Sequence, residues 1–348
     1  MTALFLAAAT VSAFADDRAE FFEFAAHLPP HTDTTRFADG YAFSGEMFTE
    51  IAEAVQETPG VVEVERIGHS NRNLPIWAFH ATNYAYPVER DVLVFGGIHA
   101  MEWLGAEVAR DTLLWLIQNP QPGVRVTVIP LLNPDGRAKV ETDLGKGRNV
   151  FRRGNQKNID LNRDFYVNTE VKAIWAKIIP KYYTHSETPL SQPESQALDR
   201  LAAREVYDRA VSLHAFGGFL YYPWAGIFDR PKDEDDFVAL GLAMEQAQGS
   251  RPYHTQQLGR WAFFFRAHGA ELDHLYGRYG TRAFLIELGR SGLRLKHLKR
   301  DLGTYFRLYN PVDPTLAIEQ GFRAVRTLIR HDPVLGERLR PAGTPRSP

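Results

Sequence analysis

Four side chains of the kinds that hold metals and move protons stand at the ends of apolar runs. His99 and Glu102 follow Asp91–Phe95, His214 follows Ala210–Leu213, and Glu287 lies near the end of Ala283–Leu288. Open α/β sheets place their chemistry just beyond the carboxyl ends of central strands, so two histidines and two glutamates there form a metal-hydrolase inventory. Neutral imidazole suits a borderline metal such as zinc, and a carboxylate completes a site without thiolates. Three protein ligands leave a position for water, whose pKa zinc lowers toward about 7, and a further carboxylate must then accept and return the proton. Glu287 is isolated in the apolar run Phe284-Leu-Ile-Glu-Leu-Gly. An unpaired buried carboxylate is costly, so it either faces a polar cavity or pairs structurally with an arginine.

The spacing His-x-x-Glu is weak evidence by itself. With 12 His and 22 Glu in 348 residues, about 0.8 copies are expected by chance. Two occur, His99–Glu102 and His268–Glu271. The first follows a strand of buried type and a Gly96-Gly97 turn, where a helix start holds ligands rigidly, and is expected to bind metal. The second follows the aromatic run Trp261–Phe265 in what reads as a loop, and is expected to be a surface pair. The polar stretch Arg152–Phe165 (RRGNQKNIDLNRDF) carries three arginines. Arginine forks bind carboxylates in bidentate fashion, so beside a metal it points to an anionic substrate group; taken alone it reads as a basic surface loop.

Composition removes other classes of chemistry. Forty basic against forty-two acidic residues give a formal charge of −2, too little to recruit nucleic acid or anionic membrane through a global field. The absence of cysteine excludes disulfides, thiolate zinc sites, iron–sulfur clusters and thiol catalysis, while leaving the compartment open. No G-x-S-x-G motif and no phosphate-binding Gly-Lys-Ser/Thr loop occurs, which disfavours a serine hydrolase and a nucleotide enzyme. Residues 1–15 are apolar and end in Ala13-Phe14-Ala15, like a short signal peptide that lacks its positive n-region. Cleavage there would make the protein secreted or periplasmic; otherwise it is cytoplasmic. No other stretch approaches a membrane span.

The elements that must position these residues alternate. Strands are expected at Val61–Ile67, Leu74–Phe79, Asp91–Phe95, Val124–Leu132, Ala210–Leu213 and Ala283–Leu288. Helical spacing marks Phe43–Gln56, with Ser44 as N-cap, then Ala106–Ile117, Glu194–Arg204, Asp236–Ala247 and Pro314–Ile329. Such alternation points to an α/β fold, a mixed or mostly parallel sheet covered by helices on both sides. Residues 16–40 read as an extended lead-in, Asp229–Asp236 as a solvated loop, 41–330 as one catalytic domain and 331–348 as a flexible tail.

In order along the chain, Ile67-Gly-His-Ser, His99-Ala-Met-Glu, Asn133-Pro-Asp-Gly, Asp160-Leu-Asn-Arg, Ser212-Leu-His-Ala and Ile286-Glu-Leu resemble the zinc carboxypeptidases of the carboxypeptidase A and B type. The resemblance runs from about Tyr41 to Pro311. It implies a mixed, mostly parallel sheet of about eight strands between helices. It also implies one zinc ion per chain on His99, Glu102 and His214, with Asp160 receiving the N–H of the first histidine. By the same resemblance Asn162 and Arg163 grip the terminal carboxylate of a peptide substrate, Arg153, with Arg152 as a rival, polarises the scissile carbonyl, and Glu287 is general base and acid. Two departures stand out. The position of the family's lid tyrosine falls on Phe265, unless a gapped alignment brings Tyr253 there, and weaker or altered substrate capture is expected. The specificity position is Leu272, which favours an apolar side chain. The same metal site would also serve an amidase acting on bacterial cell-wall peptides or N-acyl amino acids. A zinc-free binding module would have been expected to lose one of His99, Glu102, His214 and Glu287. Oligomeric state is not legible.

Overall fold

The computed structural model describes residues 16–30, 33–34, 36–170, 188–262, 266–290 and 304–331. The signal-peptide stretch, Phe265 and all but the first residue of the expected tail lie outside the described residues.

Eight strands form one sheet: β1 (Val62–His69), β2 (Pro75–Ala81), β3 (Arg90–Gly96), β4 (Val124–Ile129), β5 (Arg209–Ala215), β6 (Phe219–Tyr222), β7 (His254–Gln257) and β8 (Arg282–Leu288). Their spatial order is β1-β2-β4-β3-β5-β8-β6-β7. The central neighbours β4, β3, β5 and β8 run parallel, as do β6 and β7. The pairs β1–β2, β2–β4 and β6–β8 are antiparallel. The sheet is therefore mixed and mostly parallel, as expected.

Central strands buried on both faces have continuous apolar sequence because each face needs its own cover. Val92 and Val94 of β3, Val211 and Leu213 of β5, and Phe284 and Ile286 of β8 enter one apolar cluster. Their alternates Leu93, Phe95, Ala210, Ala283 and Leu285 enter the other. Helices α1 (residues 16–27), α2 (Ser44–Glu57), α3 (Trp103–Gln118) and α9 (Thr315–Arg330) cover the first face. Helices α5 (Pro193–Glu205) and α7 (Glu271–Tyr279) cover the second. Three further helices are α4 (Pro134–Gly145), α6 (Glu234–Ala247) and α8 (Tyr305–Tyr309).

Several expectations need correction. The lead-in is not extended throughout, since residues 16–27 are helical. Phe21, Phe24, Ala25 and Leu28 recur at helical spacing, and Pro29-Pro30 stops the run. Phe21 packs edge-on against Trp77 and Phe79, with ring centroids 5.4 and 5.0 Å apart. Ser44 is not the N-cap of α2: Phe43 is, and its N–H donates to Glu46 Oε2 at 2.9 Å. The Ser44 N–H and hydroxyl instead reach Glu141 Oε1. The end of Asp229–Asp236 forms the first turn of α6, where its acids face the positive end of the helix. Helix α4 escaped notice because its buried side chains are largely polar. Its start carried a signal nonetheless, with Asn133 as N-cap accepting from Gly136 N–H at 2.9 Å and Pro134 at the first position.

Candidate metal centre

Strands β3, β5 and β8 lie side by side with parallel register, so their carboxyl ends meet at one edge of the sheet. His214 of β5 is directly opposite Glu287 of β8. Both fall on the face shared with Ala210 and Leu285, because alternate residues point to opposite sides. After β3 the chain turns at Gly97, at a φ of +66° that favours glycine. It then presents His99 and reaches Glu102, the N-cap of α3.

Helix α3 comes unusually close to the sheet. A Cβ on Gly96 would lie 2.4 Å from the Gly105 carbonyl oxygen, and one on Gly105 would lie 2.2 Å from that of Leu213. These two glycines set the distance between Glu102, at the start of α3, and His214, at the end of β5. The side chain of Glu102 is committed to the centre and does not cap its own helix. Asn310, two hundred residues away in sequence, supplies the acceptor: its Oδ1 takes the Trp103 N–H at 2.9 Å while its Nδ2 donates to Met101 O at 2.7 Å.

His99, Glu102 and His214 are buried together, each offering one ligand atom within 4.8 Å of the others. His99 Nδ1 lies 2.9 Å from Glu102 Oε1, His214 Nδ1 lies 3.1 Å from Glu102 Oε2, and the two Nδ1 atoms are 3.1 Å apart. The far nitrogens face carboxylates. His99 Nε2 is 2.9 Å from Asp160 Oδ1, and His214 Nε2 is 2.9 Å from Glu271 Oε1. If each Nε2 carries the hydrogen that its carboxylate accepts, both Nδ1 lone pairs and a glutamate oxygen converge on one buried point. Such an arrangement is repulsive without a cation. Two imidazole nitrogens and a carboxylate oxygen are a donor set that suits zinc.

The electrostatics carry the same imprint. Burial alone would raise the Glu102 carboxyl, but His99, His214 and Arg153 hold it well below the usual carboxylate range. Burial likewise opposes ionisation of Asp160, and Arg153 and His99 bring it well down. Burial would lower His214, yet its contacts with Glu102 and Glu271 push it up to about 10. Glu287 goes the other way: burial first, then the nearby negative charge of Glu102, push its carboxyl up to about 8. Its Oε2 is buried and meets no hydrogen-bond partner among the described residues. A divalent cation at the histidines would favour the ionised form of Glu287.

The other expected residues fall as follows. Arg153 donates from Nε to Asp160 Oδ2 at 2.8 Å and from NH1 to Glu102 Oε1 at 3.0 Å. Its rival Arg152 turns elsewhere, to Asp143 Oδ2 at 2.8 Å. Asn162 and Arg163 form a short 3-10 turn with Leu161, held by the Asp160 Oδ1 contact to Asn162 N–H. The stretch from Arg152 to Phe165 is no surface loop, since Asn155, Asp160, Leu161, Asn162, Asp164 and Phe165 are all buried. Leu272 packs in the second apolar cluster. Tyr253 is fully buried, its hydroxyl accepting from Gly289 N–H at 2.9 Å. The pair His268–Glu271 is not exposed; both residues are buried and Glu271 begins α7. Sequence reasoning missed Glu271 because its partner is 57 residues away. The available signal was a second His-x-x-Glu opening a helix.

Sheet, covering helices and a buried His–Glu–His cluster at the carboxyl ends of parallel strands define an α/β protein with a candidate catalytic-type metal centre. Residues 47–304 match the zinc carboxypeptidase family, peptidase M14, and the chain belongs to that family. It is 22% identical over 281 residues to carboxypeptidase O of Bos taurus, covering 75% of this chain and 70% of that one. It is 23% identical over 272 residues to an inactive metallocarboxypeptidase of Saccharomyces cerevisiae, covering 67% and 60%. Among solved structures, bovine thrombin-activatable fibrinolysis inhibitor in complex with a tick carboxypeptidase inhibitor shares the fold. Its TM-score is 0.66 at 19% identity, covering 83% of this chain and 96% of that one.

Proposed function

We propose that the protein is a zinc-dependent metallocarboxypeptidase that hydrolyses the amide bond next to a free C-terminal carboxylate. The observation that carries this reading is the convergence of His99 Nδ1, His214 Nδ1 and the Glu102 carboxylate, with Glu287 opposite His214 and its Oε2 without a hydrogen-bond partner among the described residues. One zinc ion held by His99, Glu102 and His214 would supply a Lewis acid and lower the pKa of water toward about 7.

The remaining work belongs to the chain. Glu287 takes the proton from the attacking water at its carboxylate and passes it to the leaving amine. Its partly buried position beside the negative charge of Glu102 keeps the carboxyl basic enough for that task. Arg153, fixed between Asp160 and Glu102, is a preorganised cation for the oxygen that gains charge during attack. Asn162 accepts the Glu271 N–H through Oδ1 at 3.1 Å, which leaves Nδ2 as its donor. Together with the Arg163 guanidinium that donor would bind a terminal carboxylate. Retention of His99, Glu102, His214 and Glu287 together supports an active enzyme over a binding module on the same fold.

The deciding experiment compares matched peptides with free and amidated C-termini, before metal chelation, after it, and after zinc return. Cleavage confined to the free carboxylate, lost on chelation and restored by zinc, is expected. Equal cleavage of both peptides would refute the carboxypeptidase reading in favour of a broader amidase, and full activity after verified metal removal would refute the metal site. Tight zinc binding without hydrolysis of either peptide would support the binding module.

A further inference from the structure

The side chain of Glu271 has no role in the proposed reaction, yet it is fully buried and its Oε1 lies 2.9 Å from His214 Nε2. Its other oxygen, Oε2, meets no donor among the described residues. A buried carboxylate without a partner is costly, and the contact that answers this cost is His214. We propose that Glu271 is a positioning residue for the zinc site: it accepts the Nε2–H of His214 and so keeps the Nδ1 lone pair directed at the ion. This inference rests on the zinc reading above. It gives each of the two histidine ligands its own carboxylate, Asp160 for His99 and Glu271 for His214.

Two features of the surroundings support this. Ser212 Oγ lies 2.8 Å from the same Nε2. A hydroxyl can donate or accept, so Ser212 is compatible with either tautomer of His214, whereas an ionised carboxylate requires N–H at that nitrogen. The choice of tautomer, and with it the availability of Nδ1, therefore falls to Glu271. Glu271 is also held in place independently of His214. It occupies the first position of α7, where the positive end of the helix favours a carboxylate, and its N–H donates to Asn162 Oδ1 at 3.1 Å. The Asn162 N–H donates in turn to Asp160 Oδ1 at 3.0 Å. One short chain of hydrogen bonds thus fixes both histidine-binding carboxylates relative to each other.

The test measures zinc affinity by chelator competition, without substrate, for the parent and for Glu271→Gln, Glu271→Ala and Ser212→Ala. Cobalt substitution adds a ligand-field absorption spectrum that reports geometry at the ion. Glu271→Ala should weaken zinc binding about 10- to 100-fold and shift the cobalt bands. The near-isosteric Glu271→Gln, which keeps an acceptor and loses the charge, should lose about tenfold. Ser212→Ala should retain the parent's spectrum and stay within about threefold. Thermal unfolding of the metal-free forms separates a folding defect from a ligand defect, and Gln decides the matter if Ala does not fold. Parent-like zinc affinity in both Glu271 variants would overturn the inference, as would a loss in Ser212→Ala equal to that in Glu271→Ala. A parent chain that binds no zinc would overturn the underlying zinc reading, a result distinct from either.

Discussion

Replacing Gly105 by alanine sets local propensity directly against tertiary packing. Within a helix alanine is favoured over glycine by up to about 1 kcal/mol, so α3 considered alone, with Gly105 in its first turn, should gain stability. The structure predicts the opposite. The new Cβ would sit 2.2 Å from the Leu213 carbonyl oxygen, about 1.2 Å inside ordinary van der Waals contact, and the obstacle is strand backbone that no rotamer change can move. Overpacking of this kind costs about 1–3 kcal/mol. After the propensity gain, a net loss of up to about 2 kcal/mol remains, as much as about a thirtyfold change in the folded-to-unfolded ratio. The damage should also reach the metal centre. Gly105 lies three residues after Glu102 and touches the residue before His214. The displacement that relieves the clash separates two ligands now 3.1 Å apart at Glu102 Oε2 and His214 Nδ1. Functional constellations tolerate about 0.5 Å, so zinc affinity should fall by about tenfold or more, at least 1.4 kcal/mol. Urea unfolding of the metal-free proteins, with midpoints and slopes compared, measures the first effect. Chelator competition measures the second. A midpoint above the parent's with zinc affinity unchanged would refute the reasoning.

Glu287→Gln should reduce turnover to background while zinc stays bound, as read by metal analysis beside a peptidase assay; surviving turnover would mean that the base lies elsewhere. Asp160→Asn keeps one acceptor oxygen but removes the charge that His99 faces and one of the two oxygens shared with Arg153, and should weaken zinc binding about 10- to 100-fold. An unchanged chelator-competition curve would count against it. Glu65 supplies a prediction on acid stability away from the metal. Burial tends to raise its carboxyl, but hydrogen bonds from His80 and Arg204 hold it down to about 2. Since the unfolded value is near 4.3, the stabilisation is present above that pH and is lost as pH falls toward about 2. Because Arg204 is half exposed, the contribution is about 1–3 kcal/mol. Glu65→Gln should flatten the dependence of the urea midpoint on pH between about 4.3 and 2, and an unaltered slope would show that Glu65 does not drive it.

The chemistry at the strand ends was legible because its signals are local. Asp91–Phe95 and Ala283–Leu288 lack alternation, which marks strands covered on both faces, and His99, Glu102 and Glu287 stand beside them. The His99–Glu102 spacing, weak by itself, gained weight from its place after Gly96-Gly97, and the ordered motifs added the family resemblance. The errors have local causes too. Helix α4 hid behind buried polar residues, and Pro29-Pro30 drew attention away from the helical spacing of Phe21, Phe24 and Leu28. The short strands β6 and β7 were masked by their position beside turns. For α7, the aromatic run before it suggested a loop, although the backbone becomes helical at Glu271.

By itself the sequence determined which residue types were available for chemistry, that cysteine would not be among them, and which strands would be buried enough to carry them. Tertiary structure decided which of two identical His-x-x-Glu spacings would supply two converging candidate ligands and which would supply a carboxylate to a distant histidine. It also decided that Arg153 rather than Arg152 would lie against Glu102, that Asn310 would cap a helix two hundred residues earlier, and that Gly105 would be needed where alanine makes the better helix. Periodicity and propensity act within a turn or two of the chain. The proximity of Glu271 to His214, or of Gly105 to Leu213, arises only when separate elements pack together, so no local window contains it.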